Sequence, residues 1–316
     1  MKILILGGHG FLGRNIINVL QTLDHQLFSI SLRDGCDLTD YNIAHEYFIN
    51  VQPDVIINCA AKVGSLNYVT QEAAEVADVN MRMLLNIYKV AHEIVPNAIL
   101  LNPIANCAFP GNLENYVEAD FWQGKVHQSV TAYGNTRRMQ IILSECYSMQ
   151  YGLRSINFLV PNMYGPGDST DPNKAHALNA LISKLVKAKK EKQKKLEVWG
   201  SGVAIREWLY VEDCASIFAQ TITGEYNYGL AEPLNIGQNF GLSIRELVDI
   251  IVEETQFEGE IVWNRMMPDG APRKVMSDIR FRKVFPEFKF TNLKDGIWKT
   301  IKYYESIYPY EFPSIH

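Results

Sequence analysis

The chain has 316 residues, 47% of them hydrophobic and 21% charged, with a net charge of −5 and a pI near 5.8. That balance suits a globular protein of one large domain or two lobes, and it gives no global attraction to nucleic acid or anionic lipid. Five scattered cysteines (Cys36, Cys59, Cys107, Cys146, Cys214) without a CxxC pair argue against a zinc site, any other metal centre and a disulfide framework, and no apolar run approaches the roughly 20 residues of a membrane span.

The N-terminus, MKILILGG, reads as a strand (Ile3 to Leu6) entering a glycine turn rather than as a signal peptide, which predicts a cytoplasmic protein. Phe11 to Leu23 has apolar residues at helical spacing, Gln26 to Ser31 and Val55 to Asn58 read as strands, and Ala73 to Ile94 reads as a helix. Ala98 to Asn102 is a further strand, Tyr133 to Gln150 a helix, and Arg154 to Val160 a strand. Strands alternating with helices imply right-handed crossovers and a parallel sheet covered on both faces. After Pro166 the pattern changes. A polar loop from Asp168 to Lys174, interrupted by Pro172, leads to a helix over His176 to Lys189 and a strand-like Leu196 to Trp199. Ser243 and Glu246 fit a capping box opening a helix that runs to Thr255. The expected architecture is α/β: a Rossmann-type doubly wound parallel sheet over residues 1–165, then a smaller C-terminal substrate lobe over 166–316, with some chain returning to the first domain. Lys184 to Lys195 holds seven lysines against one glutamate and reads as a solvated face, with steering of an anionic substrate as the alternative.

Gly7, Gly10 and Gly13 form GxxGxxG between the first strand and the first helix. Glycines there permit a tight turn and close backbone approach to a pyrophosphate, which then faces the unpaired N–H groups of the helix start at Phe11 and Leu12. At the end of the second strand, Ser31-Leu32-Arg33-Asp34 offers two determinants. An acidic residue binds the ribose 2′-hydroxyl of NAD, and an arginine accommodates the 2′-phosphate of NADP. Arg33 comes first, which favours NADP; NAD stays open.

Further segments follow in order: Asn58-Cys59-Ala60-Ala61-Lys62-Val63-Gly64, Tyr133 four residues before Arg137, and Pro161-Asn162-Met163-Tyr164-Gly165-Pro166. Beyond them lie Trp199-Gly200-Ser201-Gly202, Arg206-Glu207, Leu234-Asn235-Ile236-Gly237, and Pro268-Asp269-Gly270-Ala271-Pro272-Arg273-Lys274. Together these resemble the extended short-chain dehydrogenase/reductases of the NAD-dependent epimerase/dehydratase family, most closely the GDP-L-fucose synthase branch. The resemblance spans nearly the whole chain and implies an NADP-dependent epimerase/reductase acting on a 4-keto nucleotide-sugar, assembled as a homodimer through the helices at Ala73–Ile94 and Tyr133–Gln150.

It implies that Tyr133 protonates the C4 oxygen during hydride transfer, that Arg137 stands where the branch carries lysine, and that Cys107 and His176 exchange protons in epimerisation. It assigns Asp37, Leu38, Ala60, Ala61 and Asn162 to the cofactor, with Tyr133 and Arg137 also touching it, and Lys62, Asn162, Trp199, Arg206 and Lys274 to the nucleotide-sugar. The residue types suit the chemistry. A carbon beside a ketone is acidic enough for a positioned base, thiol and imidazole both titrate within reach of neutral pH, and Arg206 and Lys274 suit a diphosphate. Cys59 and His127 read as a core residue and a loop residue.

Two positions depart from the branch. Arg137 replaces the lysine of YxxxK with a larger planar cation, and neighbouring Arg138 faces about 100° further round the helix. Ala105 stands where a hydroxyl would bond the C4 oxygen, with Asn106 beside it as a substitute donor. These changes keep other readings open: an epimerase or reductase alone, a 4-epimerase or dehydratase with tightly bound NAD, or a dinucleotide-binding protein without catalysis.

Overall fold

The computed structural model describes residues 1–171, 174–224, 232–267 and 269–310, so Pro172 and Pro268 of the motifs above lie outside the described residues. The first half runs β1 (Lys2–Leu6), α1 (Phe11–Leu20), β2 (Gln26–Ile30), α2 (Tyr41–Val51), β3 (Val55–Asn58), α3 (Leu66–Gln71), α4 (Ala73–Ile94), β4 (Ile99–Ala105), β5 (Asn115–Tyr116), α5 (Thr131–Tyr151) and β6 (Arg154–Val160). The second half adds β7 (Asn162–Tyr164), α6 (Ala177–Lys190), β8 (Lys195–Trp199), β9 (Ile205–Arg206), β10 (Trp208–Tyr210), α7 (Val211–Thr223), β11 (Leu234–Asn235), β12 (Leu242–Ser243), α8 (Ile244–Thr255), β13 (Glu260–Asn264), β14 (Arg273–Met276), α9 (Ile279–Val284) and α10 (Leu293–Ser306).

A six-stranded sheet in the order β11-β6-β4-β3-β1-β2, parallel throughout, forms the scaffold. Ile3 to Leu6 are all fully buried because both faces of β1 are covered, which is why the strand reads as an unbroken apolar run. One face packs Leu12, Ile16 and Leu20 of α1 with Val211, Cys214 and Phe218 of α7 and Phe281 and Phe285 at α9. The other packs Phe48 of α2, Leu84, Ile87 and Tyr88 of α4 and Leu143 of α5. The winding direction reverses between β1 and β3, the switch point at whose carboxyl ends such sheets take ligands.

A third apolar cluster builds the smaller lobe from Leu178, Ile182 and Leu185 of α6, Leu247 and Ile251 of α8, and Ile297 and Ile301 of α10. Three small ribbons complete it: β7 with β10, β8 with β13, and the order β12-β9-β14-β5. The chain does not stay in this lobe. α7 and β11 return to the large sheet, α9 joins the same core, and β5 crosses the other way to pair with β14.

Most bounds shift by one or two residues, and two shift by three for physical reasons. α1 stops at Leu20, three residues before Leu23, because Thr22 N and Leu23 N turn back more tightly onto Val19 O and Leu20 O. β4 continues past Pro103 to Ala105, because all seven of its residues pair with β6, from Ile99 opposite Arg154 to Ala105 opposite Val160. Ser243 and Glu246 form the expected capping box. The lysine stretch straddles the end of α6, where Lys187, Lys189 and Lys190 sit favourably at the negative end of the helix dipole.

Candidate active site

The glycine turn is dictated by close packing. Gly7 has φ 75° and donates its N–H to Ile30 O at 2.8 Å; a Cβ there would lie 2.9 Å from the Ala60 backbone. A Cβ on Gly13 would lie 2.5 Å from Gly7 O. Gly10 caps α1 without a side-chain acceptor, leaving the first-turn N–H groups of Phe11, Leu12 and Gly13 available to an anion.

Beyond β2, Asp34 is already engaged. It accepts from Ser31 Oγ at 2.9 Å and pairs with His9 Nε2 at 2.9 Å, and its carboxyl lies below the usual range chiefly because of the Ser31 hydroxyl, with His9 adding to it. The guanidinium of Arg33 is exposed and has no partner among the described residues. Next along the chain, Asp37 Oδ1 accepts from Thr39 N and Oγ1 at 2.9 and 2.7 Å, and buried Leu38 is fixed through its carbonyl by Asn86 Nδ2 at 3.0 Å. Ala60, Ala61 and Lys62 follow β3 on the far side of the turn. Asn80 of α4 brackets Lys62, accepting its N–H at 3.1 Å and donating to its carbonyl at 2.8 Å, while the Lys62 ammonium pairs with Glu75.

Cys107, Tyr133 and Arg137 meet at the end of β4. A turn over Asn106–Ala108 carries Cys107 directly onto α5, where a Cβ on Gly134 would lie 2.7 Å from Cys107 O. Glycine therefore sets Cys107 beside Tyr133. One helical turn on, Arg137 stacks over Tyr133 with its guanidinium carbon 5.0 Å from the ring centroid. Burial pushes the Tyr133 phenol above its ordinary value, and Arg137 opposes the shift. Burial likewise raises the Cys107 thiol to about 11, against the pull of Lys274 and Arg137. Arg138 points elsewhere and braces the Cys107 turn, donating to Ala108 O and Gly124 O at 2.7 Å and to Phe121 O at 3.1 Å. Ala105 closes β4 without a hydroxyl, and the Nδ2 of buried Asn106 has no partner among the described residues.

His176 begins α6 with its ring 5.0 Å from that of Phe11, at the mouth of the glycine turn. Buried Asp168 holds it, accepting the His176 N–H at 2.8 Å, facing Nδ1 at 3.2 Å, and accepting from Asn179 Nδ2 at 2.9 Å. Asn162 lies on β7 opposite Trp208.

On the other wall, Arg206 of β9 stands directly opposite Lys274 of β14. Like charges facing each other across strands destabilise a sheet, so the pair makes sense as the wall of an anion site. Neither has a carboxylate partner among the described residues; Arg206 spends its donors on Ile205 O and Asp269 O at 2.8 and 3.2 Å. Burial lowers the Lys274 ammonium. Buried Glu207 ties the strands together by accepting from Met276 N at 2.6 Å and from Gln238 N. Trp199 lies at the rim, 53% exposed, with Lys184 Nζ 5.7 Å from its ring. Asp269 fixes the turn after it, accepting Ser201 N and Oγ at 2.7 Å.

The sequence reading did not single out Asp168, Asn80, Gln140 or Asp269. Asp269 lay inside a quoted motif; the others carry no motif, and Asn80 and Gln140 also bond partners far along the chain, Arg137 and Asn102.

A family model described as "NAD dependent epimerase/dehydratase family" matches residues 3–237. The chain is 28% identical over 304 residues to a "Probable GDP-L-fucose synthase 1" of Oryza sativa subsp. japonica, covering 96% of this chain and 92% of that one. It is 27% identical over 311 residues to a "GDP-L-colitose synthase" of Yersinia pseudotuberculosis, covering 96% and 98%. Among solved structures, a GDP-L-fucose synthetase from Naegleria fowleri bound to NADP superposes with a TM-score of 0.87 at 25% identity, over 96% of this chain and 92% of that one.

Proposed function

The chain belongs to the NAD dependent epimerase/dehydratase family, and from that premise we propose that it is an NADP-dependent epimerase/reductase of a 4-keto nucleotide-sugar, with a GDP-linked deoxy-sugar as the first substrate to test. The observation that carries this reading is the packing of Cys107 against Tyr133 through Gly134, one turn from Arg137 and at the same sheet end as the glycine turn.

The residues fit the cofactor. Backbone at Gly7 and Gly13 approaches too closely for side chains, which suits a pyrophosphate, and the free Arg33 beside an engaged Asp34 suits a 2′-phosphate better than a 2′-hydroxyl. Bound NADPH supplies the hydride that turns the C4 carbonyl into an alcohol. Tyr133 gives its phenolic proton to the C4 oxygen and regains one from solvent, with Arg137 as the fixed cation that favours the departing proton. Cys107, as thiolate, takes the proton from a carbon flanking the ketone, and His176 returns one from the opposite face, inverting the centre. Arg206 and Lys274 clamp the diphosphate, and Trp199 with Lys62 and Asn162 borders the sugar.

Two copies are proposed to pair through α4 and α5, whose exposed apolar residues include Leu85 and Met149. No helix among the described residues is long and apolar enough to cross a membrane.

Ala105 favours one second reading, an epimerase without reduction. The test is incubation with NADPH and GDP-4-keto-6-deoxymannose in deuterated water, following cofactor absorbance and deuterium together. Oxidation with label at both flanking carbons supports the bifunctional enzyme. Label alone supports the second reading, and neither signal rules out this substrate.

A further inference from the structure

Arg137 is only 2% exposed, yet no carboxylate among the described residues meets it. A buried cation without an anion is costly unless its donors are satisfied. Two of its donors end on amide oxygens, Nη1 on Gln140 Oε1 at 3.0 Å and Nη2 on Asn80 Oδ1 at 2.9 Å, while the buried Nε has no partner among the described residues.

Each amide is turned that way by what lies behind it. Asn80 Nδ2 donates to Lys62 O and Val76 O at 2.8 and 2.7 Å. Fully buried Gln140 donates Nε2 to Asn102 Oδ1 at 2.7 Å; Asn102 Nδ2 in turn donates to Tyr88 Oη and Asn157 Oδ1, both at 3.0 Å. Ser144 Oγ closes the group, donating to Asn157 Oδ1 at 3.1 Å and bonding Tyr88 Oη at 2.5 Å. Asn102 and Asn157 are cross-strand partners inside β4 and β6, where an apolar pair would pack at less risk. The order of donors leads every amide oxygen toward the guanidinium, an arrangement in which successive hydrogen bonds polarise one another. A lysine could not fill it: a compact ammonium on a flexible stem lacks the planar fork that spans both acceptors.

We infer that Gln140 is a positioning residue of the reduction step, holding Arg137 against Tyr133 together with Asn80, and that arginine at 137 is a built feature of this chain rather than a decayed lysine. The inference rests on the reading of Tyr133 as proton donor to the C4 oxygen. Arg137 faces Tyr133 from its own helix, Cys107 from the turn after β4, and Lys274 of β14 lies beyond Cys107. Because a guanidinium stays charged over the working pH range, its field on Tyr133 depends on placement alone.

The experiment compares Tyr133→Phe, Gln140→Met and Gln140→Glu in the full chain. The readouts are NADPH oxidation with the 4-keto nucleotide-sugar, kcat against pH, KM, NADP affinity and thermal melting. Gln140→Met matches glutamine in length but removes the acceptor; kcat is expected to fall on the order of 10-fold with KM and NADP affinity little changed. Gln140→Glu keeps an oxygen on Arg137 but adds an anion that cancels its field at Tyr133, so the alkaline limb of kcat should move up by about one pH unit. Should Gln140→Met fail to fold, the Gln140→Glu profile decides alone. Wild-type kcat in a folded Gln140→Met, or an unmoved limb in Gln140→Glu, overturns the inference while Tyr133→Phe remains inactive. Full reduction by Tyr133→Phe overturns the underlying reading instead.

Discussion

One carboxylate oxygen of Asp168 takes both the main-chain N–H of His176, at 2.8 Å, and its ring Nδ1, at 3.2 Å. With Nδ1 so occupied, Nε2 is the nitrogen left to exchange a proton with a ligand. Asp168→Asn keeps the shape but replaces an acceptor by an ambiguous amide. Solvent deuterium incorporation at one flanking carbon should drop about 10-fold while NADPH oxidation with an already epimerised substrate holds. NMR of the product separates the two, and an unchanged labelling pattern would remove Asp168 from the mechanism.

The same pair carries a stability consequence. The Asp168 carboxyl lies below its ordinary 3.8, the hydrogen bond and charge of His176 outweighing burial. A depressed acid contributes stability above its unfolded pKa and loses it as pH falls through the folded value. Asp168→Asn should therefore melt earlier than wild type at neutral pH, by an amount on the order of 1–3 kcal/mol, with the gap closing in strong acid. A constant gap down to the acid transition would contradict this.

Asn106 stands beside an alanine whose side chain cannot donate, with its own buried Nδ2 unmatched among the described residues. Asn106→Ala should cut kcat for NADPH oxidation on the order of 10²-fold, and adding Ala105→Ser should recover part of the loss. Steady-state kinetics on the single and double variants decide; a fully active Asn106→Ala would show that the C4 oxygen finds its donor elsewhere.

Arg33, just past the end of β2, is exposed and its guanidinium has no partner among the described residues. Arg33→Ala should raise the KM for NADPH by about 10-fold or more and leave that for NADH nearly unchanged, since only the former has a 2′-phosphate. Equal losses for both cofactors would place the 2′-phosphate elsewhere.

The Cys107 thiol, raised to about 11, predicts the pH dependence of epimerisation in the free enzyme. A base acts only when deprotonated, so in a His176→Ala variant, where no second group has to stay protonated, kcat/KM for deuterium exchange should climb about 10-fold per pH unit between about pH 6 and 9, without a plateau. Lys274→Met removes an opposing cation and should lower the whole curve. A plateau near neutrality would mean that a different group removes the proton.

The large sheet was legible because its strands and helices carry strong periodicity: the amphipathic Ala73–Ile94 helix and the Arg154–Val160 strand appear with the bounds read from sequence. β4 was read short because Pro103 looks like a terminator, and only pairing with β6 carries the strand past it. α2 was missed although Asp40 caps it, accepting from Asn42 N and Ile43 N. α7 is buried over most of its surface, which hides a one-sided stripe. At the site, the glycine turn announces itself, whereas the cradle behind Arg137 does not. Asn80, Asn102 and Gln140 look like solvated positions until the fold shows that they face one another.

The return of α7 and β11 to the sheet has a consequence for modularity. A nascent chain that has released β1 through β6 still presents β6 as a bare edge, open to pairing with a neighbouring chain until Leu234 and Asn235 arrive. The large sheet is thus completed by sequence made after much of the smaller lobe. Recombination between relatives at Gly165 would separate the sheet from its own last strand. An exchange that respects the architecture has to carry the 208–237 stretch along with the first 165 residues.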